Sequence, residues 1–322
     1  MTRTRSLASG LLSLSAAAVL ALTGAGGATA TPAASDDQRT PSVARASLAT
    51  AGVAEYWTAE RMRNAIPGDV LAKRAVERGV ASGASKAVQG KATKVPSTKG
   101  KPTIAAAENP VSHIGKVFFT MGGYNYVCSG NSVASTNKST VSTAGHCLNE
   151  GPGAFATNWV FVPAYENGAA PYGKWAANQL FAPTQWSANG DMTYDTGFAV
   201  VNTNAGGQRL GDVVGGSGVA FNQDRGLSYK AFGYPAASPF NGETLKSCTG
   251  AASNDPYNPQ FNSQGISCDM TGGSSGGPWF IGTSSSGVQN SVNSYGYNRM
   301  AVMYGPYWGP VIQSTYNSAA VS

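Results

Sequence analysis

Residues that hold metals are scarce in this 322-residue chain, which has two histidines, four cysteines and no C-x-x-C pair. A four-thiolate zinc site needs cysteines at close paired spacing, so none is expected, and with no other ligand cluster no metal or organic cofactor is implied. After Leu22 no apolar run is long enough to cross a bilayer. No sustained 3.6-residue periodicity is present either, which argues against a helical bundle. Charge is also absent where it would matter. The chain carries a formal net charge of +6, but 14 of its 22 Lys+Arg and 7 of its 16 Asp+Glu fall in residues 1–108, leaving 8 against 9, or −1, for residues 109–322. A basic total ordinarily suggests nucleic acid or an anionic membrane. Here the basic excess belongs entirely to the N-terminal part, so neither partner is expected.

That N-terminal part divides in two. Arg3 and Arg5, an apolar run from Leu7 to Leu22 and the sequence Ala28-Thr29-Ala30 have the form of a secretory signal with its cleavage site. Ser9, Gly10, Ser13 and Ser15 interrupt the run, which reads as too short for a membrane anchor. Residues 1–30 are therefore expected to be removed and the product secreted without an anchor. Residues 31–108 are rich in Ala, Ser, Lys, Arg and Thr, contain no cysteine, and read as a propeptide removed near Ala107 to Asn109. Tyr56 to Val80 predicts one amphipathic helix broken at Ile66-Pro67-Gly68, and Ala81 to Lys101 predicts a loosely held stretch.

Residues 109–322 have an all-β texture. Short runs such as Lys116 to Thr120, Trp159 to Val162, Gly197 to Asn202, Tyr229 to Phe232 and Met300 to Tyr304 are separated by Gly, Asn, Pro and Ser clusters. A helix is expected only in short pieces and in the last dozen residues from Pro310. All four cysteines, Cys128, Cys147, Cys248 and Cys268, lie in this part. An even number in an exported chain points to disulfides, and four cysteines allow three pairings.

Within it, Thr271-Gly272-Gly273-Ser274-Ser275-Gly276-Gly277-Pro278 reads as a strained turn presenting one hydroxyl. Glycine permits positive φ and close approach of a substrate backbone, and main-chain N–H groups can converge on a developing oxyanion. A serine nucleophile needs a base. Of the two histidines, His113 reads as structural, whereas His146 ends the run Ser142-Thr143-Ala144-Gly145-His146-Cys147 beside a cysteine. The base in turn needs an acceptor. Asp191, beside Asn189 and Gly190, has turn chemistry; Asp195 opens the strand Thr196-Gly197-Phe198-Ala199-Val200-Val201.

These motifs, in the order His, Asp, Ser, resemble the chymotrypsin-like (trypsin superfamily) serine peptidases, and Ser274 before the nucleophile resembles the secreted bacterial branch near the glutamyl endopeptidases. Over residues 109–322 the resemblance implies two six-stranded antiparallel β-barrels, about 109–225 and 226–322, with the site in the cleft between them. It implies a catalytic triad of His146, Asp195 and Ser275, and an oxyanion hole from the N–H groups of Gly273 and Ser275. Ser294-Tyr295-Gly296 resembles the strand that pairs with an extended peptide. A disulfide between Cys128 and Cys147 is implied beside the histidine, leaving Cys248 with Cys268; each closes a loop of about 20 residues, worth about 3 kcal/mol by chain entropy. The implied activity is that of a zymogenic, monomeric serine endopeptidase acting on peptides or proteins through an acyl-enzyme. The alternative is a catalytically inactive peptide-binding module on the same fold. Asp269, six residues before Ser275, stands where trypsin-like members place a carboxylate for basic side chains. The glutamyl branch instead uses a histidine after the nucleophile, where this chain has none and Arg299 is the available cation. Basic, broad or apolar, and acidic preferences thus remain open.

Overall fold

The computed structural model describes residues 43–82, 88–100, 110–297 and 300–322; the leader, the expected cut near Ala107 to Asn109, and Arg299 lie outside the described residues. In chain order the N-terminal segment contributes β1 (Val43–Ser47), α1 (Val53–Tyr56), α2 (Ala59–Arg63), β2 (Ile66–Pro67), α3 (Asp69–Ser82) and β3 (Thr93–Val95). In place of the expected broken helix over Tyr56 to Val80 stand α2 and the 14-residue α3, separated at the expected break. Pro67 and Gly68 sit in the break before α3, where residues 66–67 pair with a strand of the main body instead. The expectation of a loose stretch after Ala81 fails for β3, because an unpaired strand edge is available to it.

Two strands joined by two glycines begin the main body. Between β4 (Ile114–Met121) and β5 (Tyr124–Val133), Gly122 and Gly123 adopt φ of 56° and 83°, the two positive values that a tight hairpin turn demands. With β6 (Thr140–Thr143), β7 (Thr157–Pro163), β8 (Trp175–Pro183), α4 (Thr184–Asn189) and β9 (Gly197–Val201), they close an antiparallel barrel in the order β8–β7–β4–β5–β6–β9, β9 pairing back to β8. Alternate residues of β4 serve different cores. Val117 and Phe119 join the barrel interior with Phe161, Phe181 and Phe198. Phe118 joins a second cluster with Tyr165 and with Trp57 of α1's end, whose rings are 5.4 Å apart.

Then follow α5 (Leu210–Val214), β10 (Val219–Phe221), β11 (Ser228–Gly233), β12 (Lys246–Ala251), β13 (Ser253–Asn254), β14 (Gln264–Ser267), β15 (Pro278–Ile281), β16 (Gln289–Val292), β17 (Val302–Gly305) and α6 (Pro310–Ala320). The second barrel is built from two sheets, β12–β11–β15–β16–β10, extended by β3, and β13–β14–β17. The bridge between Tyr295 and Tyr304 joins the chain after β16 to β17, and the Cys248–Cys268 disulfide joins β12 to the end of β14. The protein is thus an all-β, two-barrel fold. The division falls earlier than expected, since β10 at 219–221 already pairs with β16. The C-terminal helix α6 returns to the first barrel, where Tyr316 Oη donates to Ala134 O at 2.5 Å. No helix among the described residues is long and apolar enough to cross a membrane.

His113 sits where the barrels meet. Its Nδ1 lies 2.8 Å from Asn131 Oδ1, and Asn131 Nδ2 donates to Ser217 Oγ and Gln289 Oε1, tying β5 to β16. Burial lowers the His113 pKa below the ordinary histidine value, the Asn131 hydrogen bond opposing it only in part. The unfolded chain therefore takes up this proton at a higher pH than the folded one, so stability is present above about pH 6.5 and falls as the pH drops below it. Urea midpoints measured from pH 7.5 to 5 are expected to fall more steeply for the wild type than for His113→Gln. Parallel curves would refute the assignment.

Candidate active site

The Gly/Ser turn between β14 and β15 is held from three sides. Ser129 N of β5 donates to Ser275 O at 2.7 Å, Ser129 Oγ donates to Gly273 O at 2.9 Å, and Gly276 N donates to Asn293 O at 2.7 Å. Asn293 Nδ2 donates back to Ser274 O at 2.9 Å. Glycine is needed at two points. Gly273 has φ of 96° and Gly276 φ of 81°, and a Cβ on Gly276 would stand 2.1 Å from Thr143 Oγ1 and 2.5 Å from Ser129 O. Ser274 is buried and donates its hydroxyl to Thr271 O at 2.8 Å.

Along this turn only some of the main-chain donors are used. Ser274 N, Gly276 N and Gly277 N donate to Thr271 O, Asn293 O and Ser274 O, whereas Gly273 N and Ser275 N donate to no group among the described residues. Buried backbone donors are ordinarily paired. A pair left open on either side of the Ser274 peptide is suited to an anionic oxygen.

His146 is presented by the 3₁₀ turn Gly145–Cys147 that ends β6, and the Cys128–Cys147 disulfide anchors this turn to β5. Its backbone N–H donates to Asp195 Oδ1 and its Nδ1 pairs with Asp195 Oδ2, both at 2.8 Å. An ionised carboxylate only accepts, so Nδ1 carries the ring proton and Nε2 presents its lone pair. Nε2 is buried and has no hydrogen-bond partner among the described residues. Burial alone would raise the Asp195 pKa, but the His146 charge and hydrogen bonds from His146 and Ser294 outweigh it and hold the carboxyl below the ordinary value. Asp191 instead caps the 3₁₀ turn Met192–Tyr194, accepting from Thr193 N at 3.0 Å.

Three placements differ from what spacing suggests. Ser294 sends its hydroxyl to Asp195 Oδ2 at 2.5 Å, making it a third donor to that carboxylate as well as part of the strand Ser294-Tyr295-Gly296. Tyr295 is buried, stacks on Tyr304 at 5.2 Å and donates to Asp255 Oδ2 at 2.7 Å. Asp269 is exposed. Asp255, Ser129 and Asn293 were not singled out from the sequence. Asp255 lies in Asn254-Asp255-Pro256, which reads locally as a turn, and its partners are 40 and 42 residues away.

A cavity of about 520 Å³ opens beside Ser275 and is bordered on its outer side by Asp69, Lys73 and Val76 of α3. Gly68 and Asp69 enter along β5, where Gly68 N donates to Val127 O at 2.9 Å. Asp69 lies against Gly272, so that a Cβ there would stand 2.0 Å from Asp69 Oδ1. Among the described residues the one grouping of potential metal ligands is Cys128, His146 and Cys147. Both cysteines are in a disulfide and supply no thiolate, so the group does not fit a metal.

Comparison with protein-family models finds no match, and comparison with curated proteins finds none. Among solved structures, the chain is similar to the protease Anisep from Arthrobacter nicotinovorans, with 71% identity over 71% of this chain and 100% of that one, at a TM-score of 0.65. It is also similar to the thermostable serine protease AL20 from an extremophilic microorganism, with 52% identity over 66% and 98% of the two chains and a TM-score of 0.63. A Glu endopeptidase structure, at 20% identity over 72% and 97% and a TM-score of 0.52, shares the fold.

Proposed function

The chain belongs to the chymotrypsin-like serine proteases and is a serine endopeptidase, and from that premise we propose that it is a secreted, zymogenic enzyme using Ser275, His146 and Asp195 through an acyl-enzyme. The observation that carries the residue assignment is the buried Nε2 of His146, unpartnered among the described residues and fixed from behind by Asp195, with the neighbouring Cys147 Sγ 3.9 Å from Ser275 O and the N–H groups of Gly273 and Ser275 open.

The chemistry follows from these positions. Ser275 Oγ attacks the carbonyl carbon of a peptide while its proton passes to His146 Nε2. Asp195, kept ionised, stabilises the imidazolium and holds its orientation, and Ser294 in turn holds the carboxylate oxygen that pairs with Nδ1. The carbonyl oxygen, now negative, receives the N–H groups of Gly273 and Ser275. Collapse breaks the C–N bond as His146 returns the proton to the leaving amine. Water then attacks the ester, again giving its proton to His146, and releases the acid product and Ser275.

Residues 31–108 act as the propeptide in this reading. The segment spans both barrels: β1 pairs with β8 of the first and β3 with β10 of the second, while α3 buries Ala72 and Ala75 in the core cluster of the first barrel, with Ala72 also lining the cavity beside Ser275. The disulfides, and the absence among the described residues of a helix able to cross a membrane, fit an exported product.

A fluorophosphonate probe tests the core of the proposal. The processed enzyme, obtained by expressing the full chain, is expected to be labelled stoichiometrically at Ser275 by peptide mapping, with labelling lost in His146→Ala. Absence of a Ser275 adduct in the processed wild type would remove the catalytic assignment.

A further inference from the structure

The cavity beside Ser275 lies where the substrate side chain preceding the cut bond would enter, next to Gly272 and the strand Ser294-Tyr295-Gly296. Resting on the protease reading above, we propose that this pocket is selective for large apolar side chains, and that Asp255 is the positioning residue that makes it so.

The argument starts from the hydroxyls around the cavity. Thr271 Oγ1 donates to Ala237 O at 2.6 Å, Ser274 Oγ to Thr271 O at 2.8 Å, and Ser294 Oγ to Asp195 at 2.5 Å. Tyr295 Oη and Tyr297 Oη both donate to Asp255 Oδ2, at 2.7 and 2.6 Å. Each of these polar tips is thereby engaged within the protein. The two tyrosines have their hydroxyls tied to Asp255 and contribute ring surface to the cavity, together with the side chains of Met270, Val302 and Met303. Asp269 also lines the cavity but is exposed, so a charged substrate side chain entering here would lose its water without gaining a buried partner, which is unfavourable. An apolar one gains the burial of its surface.

Asp255 is 2% exposed and fully engaged. Its Oδ1 accepts from the backbone N–H groups of Tyr257 and Asn258 at 2.8 and 3.2 Å, while Oδ2 accepts from the two tyrosines. It therefore offers nothing to a substrate cation, and its effect is exerted through Tyr295 and Tyr297. Those rings belong to a continuous aromatic group: Tyr295 packs on Tyr304, Phe261 and Tyr297, and Tyr297 packs on the exposed Tyr257 at 5.3 Å.

Asp269 is the residue that would argue the other way. It is exposed even with α3 in place, and among the described residues it makes no ion pair. Lys73, the α3 cation that borders the same cavity, pairs with Asp69 at 2.9 Å instead. Water screens an exposed carboxylate, and such pairs contribute little, whereas trypsin-like selectivity requires orders of magnitude.

The test uses the processed enzyme with its active sites titrated by the fluorophosphonate, so that every rate is expressed per functional site. Chromogenic peptides differing only at the residue before the cut are compared. Phe, Tyr, Leu and Met are expected to exceed Arg, Lys, Glu and Asp by on the order of 100-fold in kcat/KM. Asp255→Asn is expected to raise KM for the Phe and Leu peptides about tenfold, with a smaller change in kcat, while Tyr297→Phe, which keeps the ring, retains the apolar ranking. A merely structural loss would reduce the titratable fraction and leave the KM of the remaining sites for the Phe and Leu peptides unchanged; that result overturns the role given to Asp255. Preferred cleavage after Arg or Lys, lost in Asp269→Ser, overturns the apolar pocket, as does preferred cleavage after Glu. Failure of the probe to label Ser275 is a different outcome, and it sinks the catalytic reading on which this one rests.

Discussion

Replacing Ser275 by alanine is expected to lower kcat on a peptide substrate by about a millionfold, with His146→Ala falling by the same order and the double variant no further. The non-additivity is the informative part. The His146 imidazole matters to the reaction only by taking and returning the proton of Ser275, so once either is gone the other has no function left to lose. Both side chains are buried, with Ser275 4% and His146 1% exposed, yet neither substitution introduces a charge or an overlarge group. Each variant is expected to keep the wild-type circular dichroism and to unfold within a few degrees of it. Residual turnover should reflect the open N–H groups of Gly273 and Ser275 and substrate binding alone. A Ser275→Ala enzyme retaining activity within a hundredfold of wild type, after contaminating protease is excluded, would place the nucleophile elsewhere.

Removal of the N-terminal segment has the second largest expected effect. Many strand pairings that build the barrels join distant parts of the chain: β10 pairs with β16 across about 70 residues, and β11 pairs with β15 across about 50. Such topologies fold slowly because loop closure precedes the contacts that reward it. The segment before residue 101 supplies a template to both halves, with β1 on the edge of β8, β2 on β5 and β3 on β10. Denatured 109–322 is expected to regain active sites, counted by fluorophosphonate labelling, with a rate and yield lower by at least an order of magnitude than when residues 31–108 are added in trans. The same added segment should inhibit the processed enzyme, because α3 lies across the cleft. Ala75 is fully buried there, so Ala75→Arg inserts an unpaired charge into a packed interface, a cost of several kcal/mol that should raise the inhibition constant about a hundredfold or more. Equal refolding with and without the segment would eliminate its folding role, and undiminished inhibition by the Ala75→Arg segment would show that α3 is not the inhibitory contact.

Local sequence was sufficient for some features of this protein and insufficient for others. The strands around Phe118, Val160, Phe198 and Phe232 were legible because β-branched and aromatic runs bounded by turn residues express a preference that each run carries by itself. The Ser275 turn was legible because its backbone needs positive φ and tolerates no Cβ at Gly276, a demand that leaves glycine visible in the chain. Asp195 could be separated from Asp191 because a capping residue and a residue opening a strand have different neighbours. The boundaries within residues 31–108 were not legible. β3 and the short run 66–67 become strands only because β10 and β5 offer unpaired edges, and an edge is a property of the folded body.

The composition and motif order by themselves determined the fold class, the residues proposed to do chemistry and the absence of a metal-binding pattern, since each depends on the kind and order of residues along the chain. The tertiary structure decided what surrounds each carboxylate. Asp269 stands at the expected spacing from Ser275 but is exposed, while Asp255, which has no motif, is buried and engaged by Tyr295 and Tyr297. Spacing fixes how far apart two residues are along the chain. Whether a carboxylate meets water, a tyrosine or a substrate depends on the strands packed against it, and in this protein those come from segments about 40 residues away.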